Sequence, residues 1–442
     1  MREAPLGSGR PLAAVNNQRR WPAAPYGQLR ELLVIVSLLG GPHMPQSVDQ
    51  MKIRAWWANK QGLDGSLDGK KAGDVLAHSG WARSVGGSSP YFTLFSRAGL
   101  GREAVDAAIA NLQIHELPSA RGCTYVLPAA DFALGLKLSQ GFFGEMKTAE
   151  KLGVKEKEIQ KLCESVMTAL EKGPLDTESI REAVGKAVRS LGPEGQKKGL
   201  TTTLPVALGK LQTTGDIRRV PINGRLDQQR YRYALWRPNP LERFGLSSEE
   251  AYTELARRFF KWIGPATIAE FQGFSALGVK ASKAAVEPLN LEPIATGDDR
   301  LLLPEDRGAF TRFKAPKEPR YALVGSIDSI CLLHPDLKPI LDSKDLTREV
   351  FSEKGPKPLG ELNYLPNHGI IDRGRLVGLW DYDPSAESIV WMSFVKADKQ
   401  LKDAVARTEE YVKSQLGDAR SFGLDSPKSR VARIEALRQA AK

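Results

Sequence analysis

One arrangement recurs three times along this chain and constrains its fold more than any single motif does. Helical segments are followed by a short break, another helix, and two β-forming runs joined by a turn. In the first occurrence, residues 51–61 and 71–79 read as helices. Over 102–112 the apolar residues Val105, Ala108, Ile109 and Leu112 follow the i, i+3, i+4, i+7 spacing of one helix face. Residues 114–117 and 123–127 then flank a Pro/Gly turn and read as a hairpin. The second occurrence begins with a helix over 155–171 that lines up Ile159, Leu162, Val166 and Leu170. It breaks at Gly173-Pro174, and Asp176 or Thr177 caps the next helix. A Gly-rich loop over 192–199 precedes a third helix, 201–212, with Pro205 in its first turn. Its hairpin pairs 217–220 with 230–236 around Asn223-Gly224, a strong turn signal. The third occurrence has helices over 250–263, 268–277 and 280–289 and a hairpin over 291–303 around Gly297-Asp298.

Three helices followed by a β-hairpin is the order of a winged helix. The predicted fold is therefore α+β: three tandem winged-helix units followed by a small C-terminal antiparallel β domain. A chain of 442 residues has room for this, at roughly 150 residues per domain. The expected boundaries are 51–149, 150–240 and 241–318 for the three units and 319–398 for the β domain. A helix and a basic, frayed tail are expected over 399–442. In the β domain, 321–333 and 369–394 are rich in strand formers. Residues 1–50 read as a disordered or mis-started leader, with Met44 or Met51 the beginning of the folded chain. The apolar run 32–39 follows arginines as a signal peptide's would, but Gly40-Gly41-Pro42-His43 is a poor cleavage site. The run is also far short of the ~20 residues that span a bilayer. A cytoplasmic protein with no membrane segment is expected.

Charge narrows the partner. Lys and Arg number 63 against 52 Asp and Glu, a net charge of +11. Residues 151–237 hold 17 basic and 10 acidic residues, so the second unit carries most of the excess. On its returning strand, Arg230 and Arg232 alternate with Tyr231, Tyr233 and Leu235. The expected arrangement buries the tyrosines and turns the arginines outward, beside Arg218, Arg219 and Arg225 at the tip. Double-stranded DNA is the partner this pattern fits, with guanidinium groups on phosphates or in a minor groove. Arg83, Arg97, Lys197 and Lys198 are further candidate DNA contacts. A solvated strand face and a protein-binding scaffold are the competing readings. Three different units in one chain suit a monomer wrapping duplex better than a symmetric dimeric regulator.

Catalytic and metal signatures are sparse. Cys123, Cys163 and Cys331 lie far apart, which excludes a Cys-x-x-Cys metal site and a disulfide framework. No phosphate loop, His-Glu-x-x-His or Gly-x-Ser-x-Gly occurs. No metal and no cofactor are expected. His334 and His368 read as turn or surface residues. Asp381 and Asp383 flank Tyr382 as a cation pair would, but Pro384 favours turn capping.

Three segments together resemble one family. They are Gly80-Trp81-Ala82-Arg83-Ser84-Val85-Gly86-Gly87-Ser88-Ser89-Pro90-Tyr91 running on to Leu94-Phe95-Ser96-Arg97, then Trp262-Ile263-Gly264-Pro265-Ala266-Thr267, and Gly374-Arg375-Leu376-Val377-Gly378-Leu379-Trp380. In that order, over about residues 51–395, they are similar to the AlkZ/YcaQ-like winged-helix proteins. The resemblance implies tandem winged helices, a β domain and DNA binding, and suggests excision of alkylated or cross-linked purines. Glycosylases of that family carry Gln-x-Gln or Gln-x-Asp just upstream of the Pro-Tyr element. Here the stretch Trp81–Val85 has neither glutamine nor carboxylate, so the catalytic residues do not carry over. Ser84 remains a candidate for holding a water, although a hydroxyl is a poor base without a neighbour to activate it. The leading expectation is a duplex-DNA-binding protein of damage recognition or repair. The alternative is an active glycosylase whose site has diverged, using Ser84 or a carboxylate from another unit.

Overall fold

A computed structural model describes residues 48–352 and 355–441, so the expected leader lies outside the described residues up to position 47. Helix α1 (Gln50–Lys60) starts where Asp49 caps the Met51 amide and buries Trp56 and Trp57. Next come α2 (Ala72–Ser79), β1 (Ala82–Arg83), α3 (Ser89–Ala98), α4 (Arg102–Ala110), β2 (Ile114–Pro118) and β3 (Thr124–Pro128). The sheet order is β1-β3-β2, all antiparallel. Helix α3 lies inside the segment read above only as a motif. Pro90 sits in its first turn, and Gly99 ends it at φ 67°, a conformation glycine adopts without strain. Helices α5 (Phe132–Ser139) and α6 (Glu145–Glu150) lead onward.

The second succession is α7 (Glu156–Leu170), α8 (Thr177–Val184), α9 (Gly192–Lys197), α10 (Leu204–Thr213), β4 (Ile217–Pro221) and β5 (Tyr231–Leu235). Asp176 caps α8 through the Ser179 amide, and the Gly-rich stretch forms the short α9. On α7 the predicted face, Ile159, Leu162, Val166 and Leu170, is buried. Each such side chain contributes about 1.5–3 kcal/mol of transfer free energy. Leu175 forms an isolated antiparallel bridge with Tyr233 of β5, on the side of β5 away from β4. In the third succession α11 (Ser248–Ile263), α12 (Ile268–Ser275) and α13 (Val279–Val286) precede β6 (Glu292–Pro293) and β7 (Leu301–Leu302). Capping boxes at Ser247/Glu250 and Thr267/Glu270 start the first two of these helices. Here Ala266 pairs with Leu301 of β7. The same order thus occurs three times: helix, short extended stretch, two helices (three in the second succession, where α9 is inserted), and a hairpin whose second strand takes the extended stretch as its outer neighbour.

Helix α14 (Pro304–Arg312) leads to β8 (Tyr321–Val324) and a short α15 (Ser329–Leu332). The β-rich stretch expected over 321–333 therefore breaks after four residues. Asp328 caps the Ile330 amide there and turns the chain into a helix. A two-stranded ribbon pairs β9 (Glu349–Val350) with β10 (Lys357–Pro358). Strands β11 (His368–Asp372), β12 (Arg375–Asp383) and β13 (Ser388–Ser393) then complete a four-stranded sheet of order β13-β12-β11-β8. Helix α16 (Lys399–Tyr411) packs beside it. The last segment is not frayed as expected: α17 (Pro427–Ala440) docks on β12 and β13 with Ile434 and Leu437 buried. Three arginines hold it: Arg430 pairs with Asp418, Arg433 with Asp381 and Asp425, and Arg438 with Asp383.

The second succession keeps a core of its own around Ile159, Val166, Ile180 and Leu208. The first, the third and the C-terminal sheet share theirs. Trp81 meets Trp262 edge-on at 5.3 Å, and Phe92 meets Trp380 at 5.2 Å. Among the described residues no helix is long and apolar enough to cross a membrane.

Candidate nucleic-acid interface and a buried serine–glutamate pair

Register decides which arginines of the β4–β5 hairpin face outward. Arg218 lies opposite Ala234 and Val220 opposite Arg232. Arg219 lies opposite Tyr233 and Pro221 opposite Tyr231. Cross-strand partners share a face, so Arg218 and Arg232 lie on one side and Arg219 on the other with the tyrosines. Arg230 and Arg232 are exposed, and neither forms an ion pair with a described residue. Arg218 is half-buried, and that burial lowers its guanidinium pKa. Arg219 does not face outward as expected. Its guanidinium lies over the Tyr231 ring at 5.3 Å, and its Nε is buried without an acceptor.

The connection between the strands, residues 222–230, is as long as expected around Asn223-Gly224, but it folds back onto α3. Leu226 is buried, and its amide donates to the Tyr91 hydroxyl at 3.1 Å. Arg225 is therefore not a free tip residue: it ion-pairs with Asp227 at 2.5 Å and donates to the Leu416 carbonyl. The Gln229 amide donates to the Val85 carbonyl, which also accepts from the Gly423 amide.

Arg97, a candidate DNA contact in the sequence, is a core residue. It is fully buried, with both terminal nitrogens on Asp328 at 2.7 and 2.8 Å and a third bond to Gln61. A guanidinium shows no surface to a phosphate from there. Arg83 is half-buried, donates to the Thr124 carbonyl at 2.6 Å and lies over the Tyr125 ring. Lys197 and Lys198 are exposed at the end of α9, and Lys197 pairs with Glu194.

Both histidines assigned to turns or the surface are buried instead. His368 accepts from the Ser326 amide at Nδ1 and donates from Nε2 to the Ala419 carbonyl. His334 donates to Glu270 at 2.7 Å over the Trp57 ring. Both ring nitrogens of His368 find partners, whereas in His334 only Nδ1 does and Nε2 is buried without a hydrogen bond to a described residue. Asp383 caps the following turn, accepting from the Ser385 amide and hydroxyl. Those bonds, with Arg438, lower its pKa to about 2.

Ser84 is 1% exposed, at the end of β1. Its hydroxyl donates to Oε1 of Glu116, which is itself 5% exposed on β2. Sequence reading overlooked Glu116. The signal was a lone carboxylate within the otherwise strand-forming run 114–118. Its other oxygen, Oε2, is buried with no hydrogen bond to a described residue, and so are Arg219 Nε and, on the opposite face of β2, His115 Nδ1. The Tyr231 phenol lies close enough that Glu116 reinforces the upward pKa shift that burial imposes on it. His115 is pushed down to about 3, by burial first and then by the charges of Arg218 and Arg219. A carboxylate with one oxygen held and the other bare is equipped to take a proton or hold a water.

Comparison with known proteins bears on both features. A search of curated proteins returns no match. Among solved structures, the Streptomyces sahachiroi DNA glycosylase AlkZ superposes with a TM-score of 0.62 at 19% identity, covering 85% of this chain and 98% of that one. The family described as DNA glycosylase AlkZ-like matches residues 80–413, which include both motif segments that flank the central units as well as β2 and the β4–β5 hairpin. With three-quarters of its length matched, the chain belongs to the AlkZ-like DNA glycosylase family.

Proposed function

We propose that this protein is a monomeric, cytoplasmic binder of double-stranded DNA, acting in recognition or repair of damaged bases through three tandem winged-helix units. The threefold recurrence of helix, extended stretch, two or three helices and hairpin, with the third strand central, supports the winged-helix reading. The observation that carries DNA contact is the pair Arg230 and Arg232. They are exposed on the hairpin, form no ion pair with a described residue although Arg232 lies within electrostatic reach of Asp176, and lie in the segment with most of the chain's positive excess. Arginines left unpaired in this way are available to phosphates. Lys198, Lys197 and Arg218 extend the surface.

Fluorescence anisotropy on a short duplex across a salt series tests this. Affinity should fall steeply with salt, and replacing Arg230 and Arg232 together by alanine should weaken binding to every sequence. The log–log salt slope should become shallower by about two. An unchanged slope sinks the hairpin contact.

A second reading, an active glycosylase, is favoured by one observation: the buried Ser84–Glu116 pair supplies the carboxylate that the signature loop itself lacks. Release of free base from alkylated duplex, absent from unmodified duplex, separates it from binding alone.

A further inference from the structure

Two buried polar atoms without a hydrogen-bond partner among the described residues belong to side chains that both lie beside Tyr231: Glu116 Oε2 and Arg219 Nε. Burying a carboxylate oxygen without a donor is costly, and such a group calls for an explanation in a bound water or a functional role. Glu116 is also oriented. Ser84, just past β1 and across β3 from the glutamate, donates to Oε1, while Oε2 makes no hydrogen bond with a described residue and the carboxylate lies beside the Tyr231 phenol. The Ser84 amide is itself fixed to the Thr124 carbonyl of β3 at 3.1 Å, so the serine is held by the same sheet that carries the glutamate.

We propose that Glu116 is the catalytic base of base excision in this chain and that Ser84 is its positioning residue; this rests on the glycosylase reading above. In the step, Oε2 takes a proton from a water. The water oxygen bonds to C1′ of the deoxyribose as the C1′–N9 bond breaks. The electron pair of that bond passes into the purine ring, where it neutralises the positive charge of an N7-alkylated base. The products are a neutral free base, a sugar bearing a 1′-hydroxyl, and protonated Glu116. The surroundings select such a cationic leaving group over an unmodified purine, which needs a proton from the protein to depart. The Tyr231 phenol beside Glu116 has a raised pKa and is a reluctant donor. Arg219 gives up no proton at neutral pH. Both Ser84 and Glu116 are covered in the free protein, so a nucleotide reaches Oε2 only after leaving its stack and displacing that cover, which couples chemistry to duplex binding.

The experiment is single-turnover release of 7-methylguanine from a duplex containing it, with duplex affinity measured on the same samples. For Glu116→Gln the excision rate should fall by about 100-fold or more while affinity stays within about twofold. Ser84→Ala should lose about tenfold in rate with equally little change in affinity, a split that a merely structural serine does not produce. Excision at the wild-type rate by Glu116→Gln overturns the assignment and leaves the glycosylase reading standing. Wild-type protein that binds duplex yet releases no base overturns both. If circular dichroism shows Glu116→Gln unfolded, Ser84→Ala decides, and undiminished excision by that variant overturns the proposal.

Discussion

The β4–β5 hairpin and helix α17 each place several arginines on a short stretch, and the structure uses them in opposite ways. On α17, Arg430, Arg433 and Arg438 each meet an aspartate, and Arg430 is fully buried. On the hairpin, Arg230 and Arg232 form no ion pair with a described residue, and Arg232 acts on Asp176 only at longer range. The difference comes from the partner and not from the arginine. Asp381 and Asp383 come to the surface of the four-stranded sheet at alternate positions of β12, where α17 packs against them. The hairpin's outward face has no acidic residue in register with it. Basic residues that find carboxylates become part of the fold, and those that do not remain available to an external polyanion.

That contrast can be broken at its strongest point first. Arg97→Ala should cost about 3–5 kcal/mol in chemical denaturation, because it strands Asp328 in the core without a counter-charge. A loss below 1 kcal/mol would falsify the assignment of Arg97 to the core. Arg433→Ala comes next, at about 2–3 kcal/mol, since it leaves Asp381 and Asp425 buried without the charged donor they share.

A third effect depends on pH. His115 binds protons in the unfolded chain near its ordinary pKa of 6.5, but in the fold only near 3. The unfolded state therefore holds more protons between those values. Stability is fully present above pH 6.5 and is lost as pH falls toward 3, by up to about 1.4 kcal/mol per pH unit. His115→Leu should flatten that slope, and an unaltered slope would assign the pH dependence to other groups. The smallest expected change in stability is in the hairpin itself. Arg230→Ala with Arg232→Ala should leave unfolding within about 0.5 kcal/mol of the parent while duplex affinity falls. A destabilisation comparable to that of Arg433→Ala would mean that these arginines serve the fold after all.

Much of the architecture was legible beforehand because helices and hairpins announce themselves locally. The apolar spacing of α7, the Asp176 cap and Pro205 in the first turn of α10 all act over a few residues, and each occurs where expected. The C-terminal segment was misjudged for the complementary reason. Its arginines read as solvent-exposed until Asp381, Asp383, Asp418 and Asp425 are brought to them. Composition reports that a charge exists, not whether a counter-charge is near it.

The candidate site divides along the same line. Arg230 and Arg232 were readable from strand alternation, a period-two rule that needs no tertiary information. Arg219 was misplaced because its side follows from pairing with Tyr233 across the hairpin. Arg225 was misplaced because, within the folded-back 222–230 connection, it pairs with Asp227 two residues on and donates to the Leu416 carbonyl. Glu116 shows the limit most sharply. Ser84 and Glu116 are far apart in sequence, and only the antiparallel order β1-β3-β2 brings the hydroxyl onto the carboxylate. By itself the sequence determined the recurring helix-and-hairpin order, the positive excess of the second unit and the family signature. Those properties are set within a few residues or by counting. Which charges are spent inside the molecule and which remain for a ligand was decided by tertiary structure, because an electrostatic partner is defined by distance in space.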